Sequence, residues 1–182
     1  MKVVRVFAFG FLSLCLLALA ALFIQGQWLN SHRIMPGPEN QSSFLKGYDP
    51  EEVIKRFRVK GWGSGGGHGS GAASPGTQSI EQTADFEPWF PIESSRKIEL
   101  MTALSDDVSR QLALAGARVL GKGGEPDGGF KYEYTSGNSV GSISVHPPVP
   151  ADIRRNLGLP GGLEDITLKI ELKETWTRPA SR

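Results

Sequence analysis

Nineteen consecutive residues, 6–24 (VFAFGFLSLCLLALAALFI), carry neither charge nor proline, and only MKVVR precedes them. As a helix rising 1.5 Å per residue, this run is about 28 Å long, close to the roughly 30 Å of a bilayer's hydrocarbon core. Lys2 and Arg5 lie before it, and the next cations are Arg33 and Lys46. The positive-inside bias therefore predicts a single-pass segment through residues 6–24, with a cytoplasmic amino terminus and an extracytoplasmic remainder. Ala18-Leu19-Ala20 fits the small-x-small rule for cleavage, which would make the product a secreted protein instead. The apolar run continues four residues past that point, so residues 1–26 read as a signal anchor first and a signal peptide second.

The one cysteine, Cys15, lies inside this run. The exported part therefore forms no disulfide and must be stabilised by packing. Gly10-Phe11 resembles the processing site of pilin-like proteins. Those carry a glutamate at the fifth residue after the glycine, where this chain has Cys15, and Pro36 and Pro38 break the long helix that such a secretion subunit needs.

Residues 27–85 read as a flexible stalk. Asp49-Pro50-Glu51-Glu52 is a helix start, with an acceptor side chain, a proline and two carboxylates at the positive end of the dipole, and it predicts a short helix over 50–60. Glycines and serines then fill most of residues 61–76 (GWGSGGGHGSGAASPG), a composition that predicts a Gly-rich linker. Its match to G-x-G-x-x-G lacks the strand before and the helix after that a dinucleotide site requires. His68, alone among glycines, has no second ligand in register.

The folded unit is expected over 86–177. Phe86, Trp89, Phe90 and Ile92, punctuated by Pro88 and Pro91, form an extended lead-in that either caps the sheet or docks a partner. Ile98, Met101, Leu104, Val108, Leu112 and Ala115 recur at steps of three and four, predicting one amphipathic helix over 94–117. Phe130, Tyr132 and Tyr134, turning at Ser136-Gly137-Asn138 to Val140, Ile143 and Val145, predict a hairpin, with a phase slip that suggests a bulge at Gly141. Pro147-Pro148-Val149-Pro150 argues against further pairing, and one helical turn is expected at 153–156. Ile166, Leu168, Ile170 and Leu172 alternate with Thr167, Lys169, Glu171 and Lys173 as the last strand. The expected class is α+β: an apolar amino-terminal helix, a stalk, and one long helix on a three- to four-stranded antiparallel sheet.

No motif here names a reaction. The histidines are His32, His68 and His146, and only His146 falls on a predicted element, at a strand end. Asp106 and Asp107 point about 100° apart on a helix and read as a solvated face. Glu164-Asp165 has no second ligand at coordinating spacing, so neither a metal nor a cofactor is expected. A net charge of +1 does not suit nucleic acid. The expectation is a non-catalytic, membrane-tethered domain that binds an envelope partner or a small ligand through Phe86, Trp89 and Phe90. A small hydrolase using His146 with Asp106 or Asp107 is the alternative.

Overall fold

The computed structural model describes residues 2–73, 76–151 and 159–180, with side chains over 15–71, 76–151 and 159–180. A helix, α1 (Lys2–His32), leads in, and its described leucines and Phe23 are exposed. Beyond Ile24 it carries Gln25, Gln27, Asn30 and Ser31. Among the described residues no helix is long and apolar enough to cross a membrane, which overturns the single-pass anchor through residues 6–24. The side chains of residues 6–14, on which that expectation also rests, lie outside the described ones, as does the helical turn expected at 153–156.

The supposed stalk builds much of the fold. α2 (Ser43–Gly47) is capped by Ser42, whose hydroxyl accepts from the Leu45 amide at 3.0 Å. α3 (Glu51–Phe57) starts one residue later and ends three earlier than the expected 50–60, with Pro50 rather than Asp49 as the cap residue, and an Asp49 carboxylate oxygen accepts from the Glu51 amide at 2.9 Å. Phe44, Tyr48, Val53, Ile54 and Phe57 from these helices all join the hydrophobic core. The Gly-rich tract is also no linker. Its residues form β1 (Gly65–Ala73), which pairs along its whole length with β2 (Ser79–Glu93).

After β2 come α4 (Lys97–Leu114), β3 (Arg118–Gly124), β4 (Phe130–Ser136), β5 (Ser139–Val145), β6 (Val149–Pro150), β7 (Leu163–Thr167) and β8 (Ile170–Thr177). They complete an eight-stranded antiparallel sheet, twice the size expected, in the order β3-β4-β5-β8-β2-β7-β6 with β1 on β2. β7 and β8 are almost one strand. They meet β2 in a single register that lapses around Pro88, which has no N–H to give, although its carbonyl accepts from the Leu168 amide at 2.9 Å. β6 corrects the reading of the proline run: Val149 and Pro150 pair with β7, and the Ala151 amide donates to the Asp165 carbonyl at 2.8 Å.

One face of the sheet is inner and covered by α2, α3 and α4. Leu100, Leu104, Val108 and Leu112 of α4 lie on Tyr132, Tyr134, Ile143, Val145, Ile166, Leu168, Ile170 and Leu172. Each such burial stabilises by about 1.5–3 kcal/mol. The helix phase differs from the expected stripe, for Ile98 is 82% exposed and Leu100 takes the inner place. The two are about 200° apart on a helix, so only one can face the sheet. Gly141 is not a bulge, because β4 and β5 stay in register; it sits under the Tyr134 ring while Val140 faces out. The register shift falls in β3, between Val119 and Gly121.

Candidate functional site

A cleft of about 310 Å³ lies between α3, the first half of β1 and the second half of β2. It is built by chain reversal after α3. The Arg58 amide closes the helix on the Ile54 carbonyl at 2.9 Å, and the Val59 amide then donates to the Pro91 carbonyl at 3.0 Å, laying the chain back along β2. Gly61 turns it with φ +86°, in the left-handed region glycine adopts freely. The approach of β1 is then close. A Cβ on Gly65 would stand 2.7 Å from the Trp89 indole nitrogen, and one on Gly66 would stand 2.8 Å from the Pro88 Cα, so glycine is required at both positions.

Phe90, 1% exposed, and Ile54 give the cleft an apolar floor, with half-buried Phe86 and Trp89 beside it. Phe86 meets the His68 ring edge-on at 4.6 Å and the Tyr48 ring at 5.6 Å. Polar groups rim the opening: Arg58 donates to the Ser64 hydroxyl at 2.8 Å and reaches Glu51 at 3.5 Å, with Asp49 nearby. The three residues singled out in the sequence, Phe86, Trp89 and Phe90, therefore come together, as part of a central strand rather than a lead-in. Arg58, His68, Asp49 and Glu51 were missed. The signal was present in the alternation of Gly65, Gly67, Gly69 and Gly71 with Gly66, His68, Ser70 and Ala72, a period of two that glycine composition masks.

The sheet has a second polar group, around His146. His146 Nδ1 donates to Asp127 at 2.8 Å, and Nε2 lies 3.6 Å from Glu171, which Lys169 holds at 2.5 Å. These carboxylates were not the ones expected. Asp107 is buried on α4, where it accepts from Gln111 at 2.6 Å and pairs with Arg110. The Asp127 carboxyl is held below its ordinary range by the His146 hydrogen bond first and the Gly129 amide second. Glu171 is lowered chiefly by its hydrogen bond from Lys169. Among the described residues no cluster of histidine, cysteine and carboxylate side chains is arranged to hold a metal ion.

Behind the cleft the inner face carries buried polar groups. Glu174, 1% exposed, accepts from the Ser42 amide at 2.9 Å, the Ser42 hydroxyl at 2.6 Å and the Tyr134 hydroxyl at 3.0 Å. Burial, with the neighbouring Glu174 charge second, pushes the Tyr134 phenol far above its ordinary value. Burial does the same to Tyr48, helped by Asp107 and then Asp49. These tyrosines stay neutral and serve as packing groups and, in Tyr134, as a donor.

Comparison with known proteins finds no matching family model, no similar curated protein and no similar solved structure.

Proposed function

We propose that the chain is a non-catalytic binding domain that works outside the cytoplasm, with the cleft beside Phe86, Trp89 and Phe90 as its contact site for a partner or small ligand in the cell envelope. The observation that carries this reading is the convergence of those aromatics with Arg58, Glu51 and His68 on one concavity, a mixture of apolar wall and a few fixed polar groups that suits ligand binding. The cost of building it points the same way. Two glycines are committed to bringing β1 against Trp89 and Pro88, a close approach that leaves the β1 backbone along the cleft wall. The placement outside the cytoplasm rests on the apolar residues 6–17 acting as an export signal cut after Ala20.

A small exported hydrolase centred on His146 draws on its pairing with Asp127. Against it, Nδ1 is spent on Asp127, and Nε2 is shut off from solvent and faces a second carboxylate, so no ring nitrogen is presented to a substrate.

The test is an amide and indole NMR titration of the labelled protein with a monosaccharide, an alkylammonium salt and an aromatic carboxylate. At least one probe is expected to shift the Trp89 indole together with the amides of residues 65–68. Shifts confined to the surroundings of His146, or none at residues 65–68, would overturn the reading.

A further inference from the structure

Among the described residues β1 pairs with β2 alone, and its other edge is open. The edge is nine residues long, with no proline, no charged side chain and an unbroken register, so it offers an uninterrupted row of backbone donors and acceptors. Its outer face is bare as well. Gly65, Gly67, Gly69 and Gly71 pair with Trp89, Glu87, Asp85 and Thr83, so no β1 side chain stands over Asp85 or Glu87. A Cβ on Gly67 would meet nothing within 4 Å, and one on Gly69 would only touch Asp85 at 4.0 Å, so neither glycine is there to relieve crowding.

Behind this bare strip lies a depression of about 450 Å³ bordered by Asp85, Glu87, Glu171 and Lys169. Three carboxylates against one ammonium leave two net negative charges there. Lys169 is already engaged by Glu171 at 2.5 Å, while Asp85 and Glu87 are exposed.

We propose that the open edge of β1 accepts an extended basic segment of a partner protein as an added strand, whose outward lysines or arginines reach across the glycines to Asp85 and Glu87. The backbone ladder supplies attraction without sequence preference, and the acidic strip selects the partner. A lysine on the added strand has a flexible four-carbon stem and finds no Cβ on β1 in its path. A second copy of this chain suits the edge less well. Antiparallel pairing of two β1 strands would set Asp85 and Glu87 of both copies on one face, with the two β2 strands three strand spacings apart, about 14 Å, adding like charge to a patch already negative. The inference rests on the binding reading above and names the partner class; its surface continues from the cleft, which residues 65–68 of β1 also line.

The probe is a labelled nonapeptide of alternating lysine and valine, compared with its glutamate–valine counterpart and with a copy N-methylated at alternate residues. Binding is followed by anisotropy, and protection of the β1 amides by hydrogen exchange. The lysine peptide is expected to bind and to slow exchange along residues 67–73. The glutamate and N-methylated peptides are expected to bind at least about tenfold more weakly, and Asp85→Asn with Glu87→Gln to lose about tenfold, as two exposed charge pairs allow. Raising the salt should weaken binding. Equal binding of acidic and basic peptides would overturn the proposal, as would concentration-dependent dimerisation that itself protects residues 67–73. If the lysine peptide fails while small probes still shift the Trp89 indole, strand addition is overturned and the cleft reading stands; if the peptide protects residues 67–73 and no probe reaches the cleft, the reverse holds.

Discussion

Two edge strands of the sheet, β3 and β1, are finished differently. β3 carries Arg118 and Lys122, and its ladder to β4 slips between Val119 and Gly121. Lys122 is drawn inward, donating to the Ser105 hydroxyl at 3.0 Å and lying 5.0 Å over the Tyr132 ring. Bulges and cations are the ordinary means by which an edge is kept from pairing with another chain. β1 has neither. Both strands are rich in glycine, so composition does not explain the contrast: in β3 glycine accompanies a broken ladder, and in β1 it keeps a straight one free of side chains. An edge left in the second condition is open to pairing.

The largest effect that tests this contrast lies between the two edges. Glu174, on β8, fastens Ser42 and so the α2–α3 layer to the sheet. Replacing it with Ala leaves three donors, Ser42 N–H, Ser42 O–H and Tyr134 O–H, without their acceptor. The expected loss is about 3 kcal/mol, or about 6–12 °C in Tm. Urea unfolding measures it, and a loss below about 1 kcal/mol would mean that β1 and the cleft do not depend on this fastening.

The next test compares glycines on the two edges directly. Gly66→Val would drive a Cβ to 2.8 Å from the Pro88 Cα, which is backbone and cannot swing away, whereas Gly123→Val in β3 meets nothing within 4 Å. The first is expected to cost about 2 kcal/mol and the second to lie within about 0.5 kcal/mol of the parent. Equal thermal midpoints for the two variants would show that β1 is not seated on β2 at this spacing. Smaller again is Lys122→Ala, which removes an exposed cation over Tyr132 and should cost about 0.5 kcal/mol. Sedimentation should still find the same oligomeric state as the parent, because the register shift continues to guard the edge; new self-association would assign the protection to the cation alone.

The sequence disclosed the sheet's centre better than its margins. Ile166, Leu168, Ile170 and Leu172, with Phe130, Tyr132 and Tyr134, alternate because one face is wet and the other dry, and all but Phe130 are buried. At the margins that pattern fails. β1 has no apolar residue to alternate except its alanines, so its pairing is fixed by β2 and by what glycine permits at Trp89 and Pro88, neither of which is local. The α2–α3 layer reads as a polar stalk because each helix contributes only two or three apolar residues, which become core once the sheet lies beneath them. The candidate site was legible in its aromatics and hidden in its partners: Arg58 and His68 approach Phe86 only through the reversal after α3.

The smallest effect concerns how the β3 side is closed at its far end. Asp127 sits in the turn between β3 and β4, where its Oδ1 accepts from the Gly129 amide at 2.9 Å and its Oδ2 from His146 at the end of β5. Both bonds are stronger to the ionised carboxylate, and they hold its pKa below the ordinary 3.8. A carboxyl whose folded value is depressed stabilises the fold above its unfolded value, and that contribution disappears as pH falls through the folded one. Asp127→Asn should therefore lower Tm slightly at pH 6, and the gap from the parent should close as the pH is taken below the ordinary aspartate range. A gap that stayed constant to pH 2.5 would mean that the turn is held by its backbone bonds, Glu125 N–H to Gly129 O and Gly128 N–H to Glu125 O, and not by the side chain. Because Asp127 is exposed, the effect is small and screened by salt.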